Sequence, residues 1–177
     1  MQSRLVLVLW LISCPLVSAA QADGDVRTSA RELLDEVEGN GARRTVQRLY
    51  EDRSTWTKLI ESIASGQREW IDLALSLKAG SGGAESGDLR DAMFRALVRN
   101  PSYVLRHAQP EYPLAVLCLG RATPLPTYEA GRDELFSVAR ALKKVRAEDL
   151  RYKKNLCFAE LQEGHVRLRR LFGLEIQ

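Results

Sequence analysis

Trp56-Thr-Lys-Leu59-Ile60-Glu-Ser-Ile63-Ala64-Ser-Gly66-Gln-Arg-Glu-Trp70-Ile-Asp-Leu73-Ala74-Leu-Ser-Leu77 decides the fold class of this chain. Trp56, Leu59, Ile60, Ile63 and Ala64 recur at i, i+3, i+4, i+7 and i+8, which places them on one stripe of a helix with 3.6 residues per turn. Gly66 stands where a helix C-terminus needs a residue of either hand. Trp70, Leu73, Ala74 and Leu77 then repeat the pattern, so that Trp56/Trp70, Leu59/Leu73, Ile60/Ala74 and Ile63/Leu77 align at an offset of 14. The reading is a helical hairpin turned through Ala64 to Gln67. Each Trp heads an apolar stripe, so both are expected in the core rather than as platforms for stacking a sugar.

The same period extends outward. Upstream, Ser29-Ala-Arg-Glu32 has the form of a capping box, followed by Ala30, Leu33, Leu34 and Val37 until Gly39 and Gly41 end the run. Val46, Leu49 and Tyr50 form a second short stretch, and Ser54 or Thr55 is the expected cap of the Trp56 helix. Downstream, Gly80-Ser-Gly-Gly-Ala-Glu-Ser-Gly87 reads as a flexible loop without a packing role. Asp88 is expected to cap a helix bearing Leu89, Met93, Ala96 and Leu97. Asn100-Pro101 caps and opens a short helix through His107. Tyr112 to Leu119, among four prolines, fits a short helix or an extended segment equally. Thr127 caps a helix carrying Leu135, Ala139, Leu142 and Val145, and Leu150, Cys157, Leu161, Leu168 and Leu171 continue a last long helix, with a kink near Ala147.

Nowhere do four or more residues alternate strictly with β-branched enrichment. The expectation is an all-α domain over residues 23–177, an irregular bundle or short stack of about seven to eight helices. Composition agrees with one packed domain. With 177 residues, 45 % apolar and 28 % charged, the chain is neither disordered nor collagenous nor a multispan membrane protein.

The N-terminus supplies an address. Arg4 precedes the uncharged run Leu5 to Ile12, which even extended to Val17 is shorter than the roughly 20 apolar residues of a membrane-spanning helix. Small residues follow it at peptidase spacing, so residues 1–22 read as a cleavable secretory signal cut after Ala22. Leu11-Ile-Ser-Cys14 is similar to a lipoprotein box, but Cys14 comes early for one and is followed at once by Pro15, so attachment of a lipid there is the lesser alternative. The expected location is periplasmic or secreted.

Export gives the cysteines their meaning, because an oxidising compartment lets thiols pair. Cys118 and Cys157 remain after cleavage, and their spacing matches neither a redox CxxC nor a zinc pattern. A Cys118–Cys157 disulfide is expected, tying the proline-rich segment to the last helix and contributing about 3 to 4 kcal/mol through its loop of about 40 residues.

Chemistry-bearing patterns are scarce. His107 and His165 lie in different helices and in no metal-ligating spacing; Glu160, Glu163 and His165 do not share one helical face. There is no GxSxG, no SxxK and no GxxxxGK[ST]. No catalytic residue, metal ligand or cofactor is therefore assigned. Charge is the asymmetric feature: residues 23–100 hold 12 basic and 14 acidic side chains, whereas residues 140–170 hold 10 basic and 4 acidic. Lys153, Lys154, Arg167, Arg169 and Arg170 are the candidate partner-binding basic face.

The functional expectation is an exported, non-catalytic helical interaction protein of the cell envelope, such as an inhibitor or toxin-neutralising protein. Its expected partner is another exported protein or an acidic envelope polymer, not nucleic acid. The alternative is a small enzyme or binding protein acting on a peptidoglycan-type polymer through a carboxylate pair.

Overall fold

The structure is a computed structural model that describes residues 21–122 and 125–174. The apolar run over 5–17 and Cys14 lie outside the described residues. All regular structure among those described is helical, as expected: α1 (Gln21–Asn40), α2 (Ala42–Glu51), α3 (Arg53–Ala64), α4 (Arg68–Lys78), α5 (Gly83–Arg99), α6 (Pro101–His107), α7 (Leu114–Leu117), α8 (Tyr128–Lys143), a 3-10 turn (Glu148–Leu150) and α9 (Arg151–Leu171). No helix among them is long and apolar enough to cross a membrane.

α5 is the axis of the domain. Leu89, Ala92, Met93, Phe94, Ala96 and Leu97 are wholly buried along it, and α3, α4, α6, α7 and α8 all pack against it. The decisive hairpin forms as read. Gly66 turns it at φ 78°, where an added β-carbon would also strike Arg99; Trp56 and Trp70 are 3 % and 4 % exposed, core side chains rather than platforms. Only one of them is satisfied: Trp56 Nε1 donates to the Asp88 carboxylate at 2.9 Å, while Trp70 Nε1 is buried without a hydrogen-bond acceptor among the described residues.

Several helix boundaries differ from expectation for identifiable reasons. α1 runs through Ser29 from Gln21, because no proline interrupts the segment and the Ser29–Glu32 box falls inside a longer helix. Asp52, not Ser54 or Thr55, caps α3; its side chain accepts from the backbone N–H groups of Ser54 and Thr55 and from the Thr55 hydroxyl. The Gly80–Gly87 stretch is not a flexible loop, since α5 already begins at Gly83 and only residues 79–82 connect it to α4. Packing of the α5 face outweighs the local cost of its glycines, and Lys78 Nζ donates to Ser86 Oγ at 2.8 Å across the turn. Gly80 itself has a packing role: a β-carbon there would stand 2.3 Å from the backbone of Ala42 and Arg43. Asp88 consequently lies inside α5 and accepts from Trp56 instead of capping.

Other boundaries stand as read. Asn100 accepts from Tyr103 N–H with Pro101 in the first turn, and Thr127 accepts from Ala130 N–H. Within Tyr112 to Leu119 only the single turn of α7 is helical. Near Ala147 the chain breaks outright: α8 ends at Lys143, and α9 starts after a 3-10 turn.

Candidate functional site

The site is built from one face of α9. Cys157, Leu161, Gly164, Leu168 and Leu171 succeed one another at helical spacing, and all but Leu171 turn into the protein. Cys157 is bonded to Cys118 at the end of α7, with 5.1 Å between the Cα atoms, and both residues are wholly buried. Two turns further on, Gly164 lets the α9 backbone lie against the Leu119 carbonyl. The segment from Cys118 to Ala122 is thereby clamped along α9, and Gly120 carries it past Leu135 with φ 104°.

Charge fixes the other side of this segment. Asp91 of α5, 4 % exposed, accepts the Ala122 backbone N–H and lies 3.4 Å from Arg121 Nε. Arg121 Nη1 is also 3.7 Å from the Glu134 carboxylate of α8. A buried carboxylate is costly without such partners. Burial pushes the Glu134 carboxyl above its ordinary range, and the Arg121 and Arg95 guanidinium groups oppose that rise.

Between α5, α8 and α9 these contacts leave a cleft of about 260 Å³. Its walls are apolar, contributed by Phe94, Leu119, Leu135 and Leu168, with Leu125 and Leu171 completing them. Gly131 admits the Leu168 side chain, whose Cδ1 would be 2.8 Å from an added β-carbon. Arg90 of α5 and Arg167 of α9 also line the cleft, and neither has an ion pair or hydrogen bond among the described residues. Arg90 Nε is buried in that state. Half-buried Arg90 and exposed Arg167 thus place two guanidinium groups without ion pairs among the described residues beside an apolar cavity, an arrangement able to hold an anion with an apolar body.

The five basic residues singled out in the sequence do not form one face. Lys153 Nζ donates to the Arg106 carbonyl at the end of α6, at 3.3 Å, and Lys154 Nζ to the Val145 carbonyl just past α8, at 3.1 Å. Both close chain ends whose carbonyls lack helical partners. Arg167 lies 14 residues further along α9, about 21 Å at 1.5 Å per residue, and only it reaches the cleft. Arg170 is exposed and Arg169 half-buried. His165 shares a 2.9 Å hydrogen bond with the Tyr128 hydroxyl beside Phe136, and His107 stacks on Tyr103. No group of three metal-ligating side chains occurs among the described residues.

No known protein-family model, curated protein or solved structure matches the chain.

Sequence reasoning missed Arg90, Asp91, Arg121 and Glu134, which are ordinary charges on amphipathic helices until the fold brings them together. One signal was available. Gly131 and Gly164 sit within helical runs, where glycine costs about 1 kcal/mol relative to Ala, so each marks a place where another group approaches the helix closely.

Proposed function

We propose that this chain is an exported, non-catalytic binding protein of the cell envelope that captures an anionic partner at the α5/α8/α9 cleft. One observation carries the reading: half-buried Arg90 and exposed Arg167 line an apolar cavity, and neither makes an ion pair among the described residues. The partly desolvated Arg90 charge is stabilised when an anion arrives, whereas the paired Arg121 gains much less. The Cys118–Cys157 bridge beneath the cleft supports the address, because such a bond persists in an oxidising compartment. It also makes the wall rigid before binding, which lowers the ordering cost of association. An inhibitor or neutralising protein is one form of this role.

Affinity capture from the exported fraction tests it. The wild-type protein should retain a stoichiometric anionic partner at low salt and release it as salt rises, and Arg90→Glu with Arg167→Glu should abolish capture. Retention that ignores both salt and these charges would overturn the reading.

A second reading, an enzyme acting on envelope polymer, is favoured by Glu134 alone: a carboxyl raised by burial in a cleft has the property required of a general acid. Release of soluble fragments from purified cell wall, abolished by Glu134→Gln, would establish it in place of the first.

A further inference from the structure

The cleft's ligand chemistry can be named more closely. We infer that the cavity between Arg90 and Arg167 is a binding site for a single-chain fatty carboxylate of medium length, its head between the two guanidinium groups and its chain along Phe94, Leu135 and Leu168. This rests on the binding role proposed for the cleft and specifies its ligand.

Charge sets the head group. Arg90, Arg121 and Arg167 meet the carboxylates of Asp91 and Glu134, and both of those lie against Arg121. Among the described residues one positive charge is left in surplus, carried by the two arginines that make no ion pair there, which suits a monoanion able to accept from both. A guanidinium presents a planar fork of donors that matches a carboxylate, and burial of Arg90 Nε strengthens that preference.

Lining chemistry sets the body. Apart from the charged groups just named, the described residues of the walls are leucine, phenylalanine and glycine or alanine, with no amide or hydroxyl side chain among those described. The Ala122 N–H at the cleft edge is already given to Asp91. A peptide entering here would leave its own backbone N–H and C=O groups without partners at a cost of about 1 to 3 kcal/mol each, whereas an acyl chain has no such groups. Size sets the length: about 260 Å³ falls below the roughly 300 to 1,000 Å³ of drug-sized ligand sites, too little for a two-chain lipid. The exposed Leu171 at the rim, 58 % accessible, extends the apolar surface where a chain would emerge.

Titration calorimetry of the disulfide-intact protein with decanoate, below micelle formation, decides the matter. Saturable one-to-one binding is expected, at least tenfold tighter than for decanol and undetectable for decylammonium. Arg90→Gln with Arg167→Gln should weaken decanoate at least tenfold, and Leu171→Glu, on an exposed position that tolerates charge, should weaken it several-fold. Arg170→Gln should leave it unchanged. Equal binding of decanoate and decanol, binding of acetate as tight as decanoate, or preference for a leucine-terminated peptide would each overturn the fatty-carboxylate assignment. Absence of decanoate binding beside intact, Arg90- and Arg167-dependent capture of an anionic protein would overturn this inference alone and leave the binding role standing.

Discussion

Gly164 of α9 is in backbone contact with Leu119: a β-carbon at position 164 would stand 2.3 Å from the Leu119 carbonyl oxygen. The atom it would meet belongs to the main chain, next to a disulfide, and has little freedom to yield. Gly164→Ala should therefore destabilise the protein by about 1 to 3 kcal/mol, the range of overpacked cores. Gly131→Ala should cost less, because its obstruction is the end of the Leu168 side chain. Gly39, with nothing within 4 Å of its β-position, is the control: Gly39→Ala should be neutral or stabilise by about 0.5 to 1 kcal/mol. Urea unfolding of the three variants ranks them directly.

The Cys118–Cys157 bond closes a loop across 39 residues of sequence separation. Chain entropy makes that worth about 4 kcal/mol, so a Cys118→Ser, Cys157→Ser variant should melt on the order of 10 °C lower. Denatured, unreduced protein should show no alkylatable thiol. Two alkylatable thiols would show that the bridge does not form.

Trp56 and Trp70 are equally buried but differ in hydrogen bonding. Trp56→Phe removes a bond to a carboxylate, worth about 1.5 to 3 kcal/mol, and strands Asp88. Trp70→Phe removes a donor with no acceptor among the described residues. The midpoint of denaturant unfolding should fall clearly further for Trp56→Phe, and equal falls would deny the Asp88 bond its role.

Acid should loosen the protein at the Asp52 cap and at the Arg106–Asp149 ion pair. The Thr55 hydroxyl and the backbone N–H groups of Thr55 and Ser54 hold the Asp52 carboxyl below its ordinary value of 3.8, and Arg106 does the same for Asp149. A carboxyl depressed in the folded state contributes stability that is complete above its unfolded value and is lost as pH falls through the folded one. The melting-temperature gap between wild type and Asp52→Ala should thus be full at neutral pH and shrink below pH 3.8. Asp52→Asn, which caps without titrating, should remove most of this residue's pH dependence.

How far the sequence reached is visible residue by residue. Leu59, Ile63, Leu73 and Leu77 announced their helices because periodicity is a property of the backbone geometry itself. Asn100-Pro101, Thr127 and Gly66 announced boundaries because capping and left-handed turns depend on residues close in sequence. Gly83 to Gly87 misled because glycine's local preference is weak beside the burial of the α5 face. The separation of Lys153 and Lys154 from Arg167 was not legible, because a charge run shows neither the carbonyls of Arg106 and Val145 nor distance along a helix.

By itself, then, the sequence determined the all-helical class, most of the core and the single cysteine pairing open to residues 23–177, since each depends on local geometry, hydrophobic period or parity. Only packing brings Asp91 and Glu134 onto Arg121 and leaves Arg90 and Arg167 lining one apolar cleft with no ion pair among the described residues. Those residues come from α5, α8, α9 and the segment after α7, and their chemistry depends on which charges lie within a few ångströms of one another, a distance that helical packing and two close-contact glycines set.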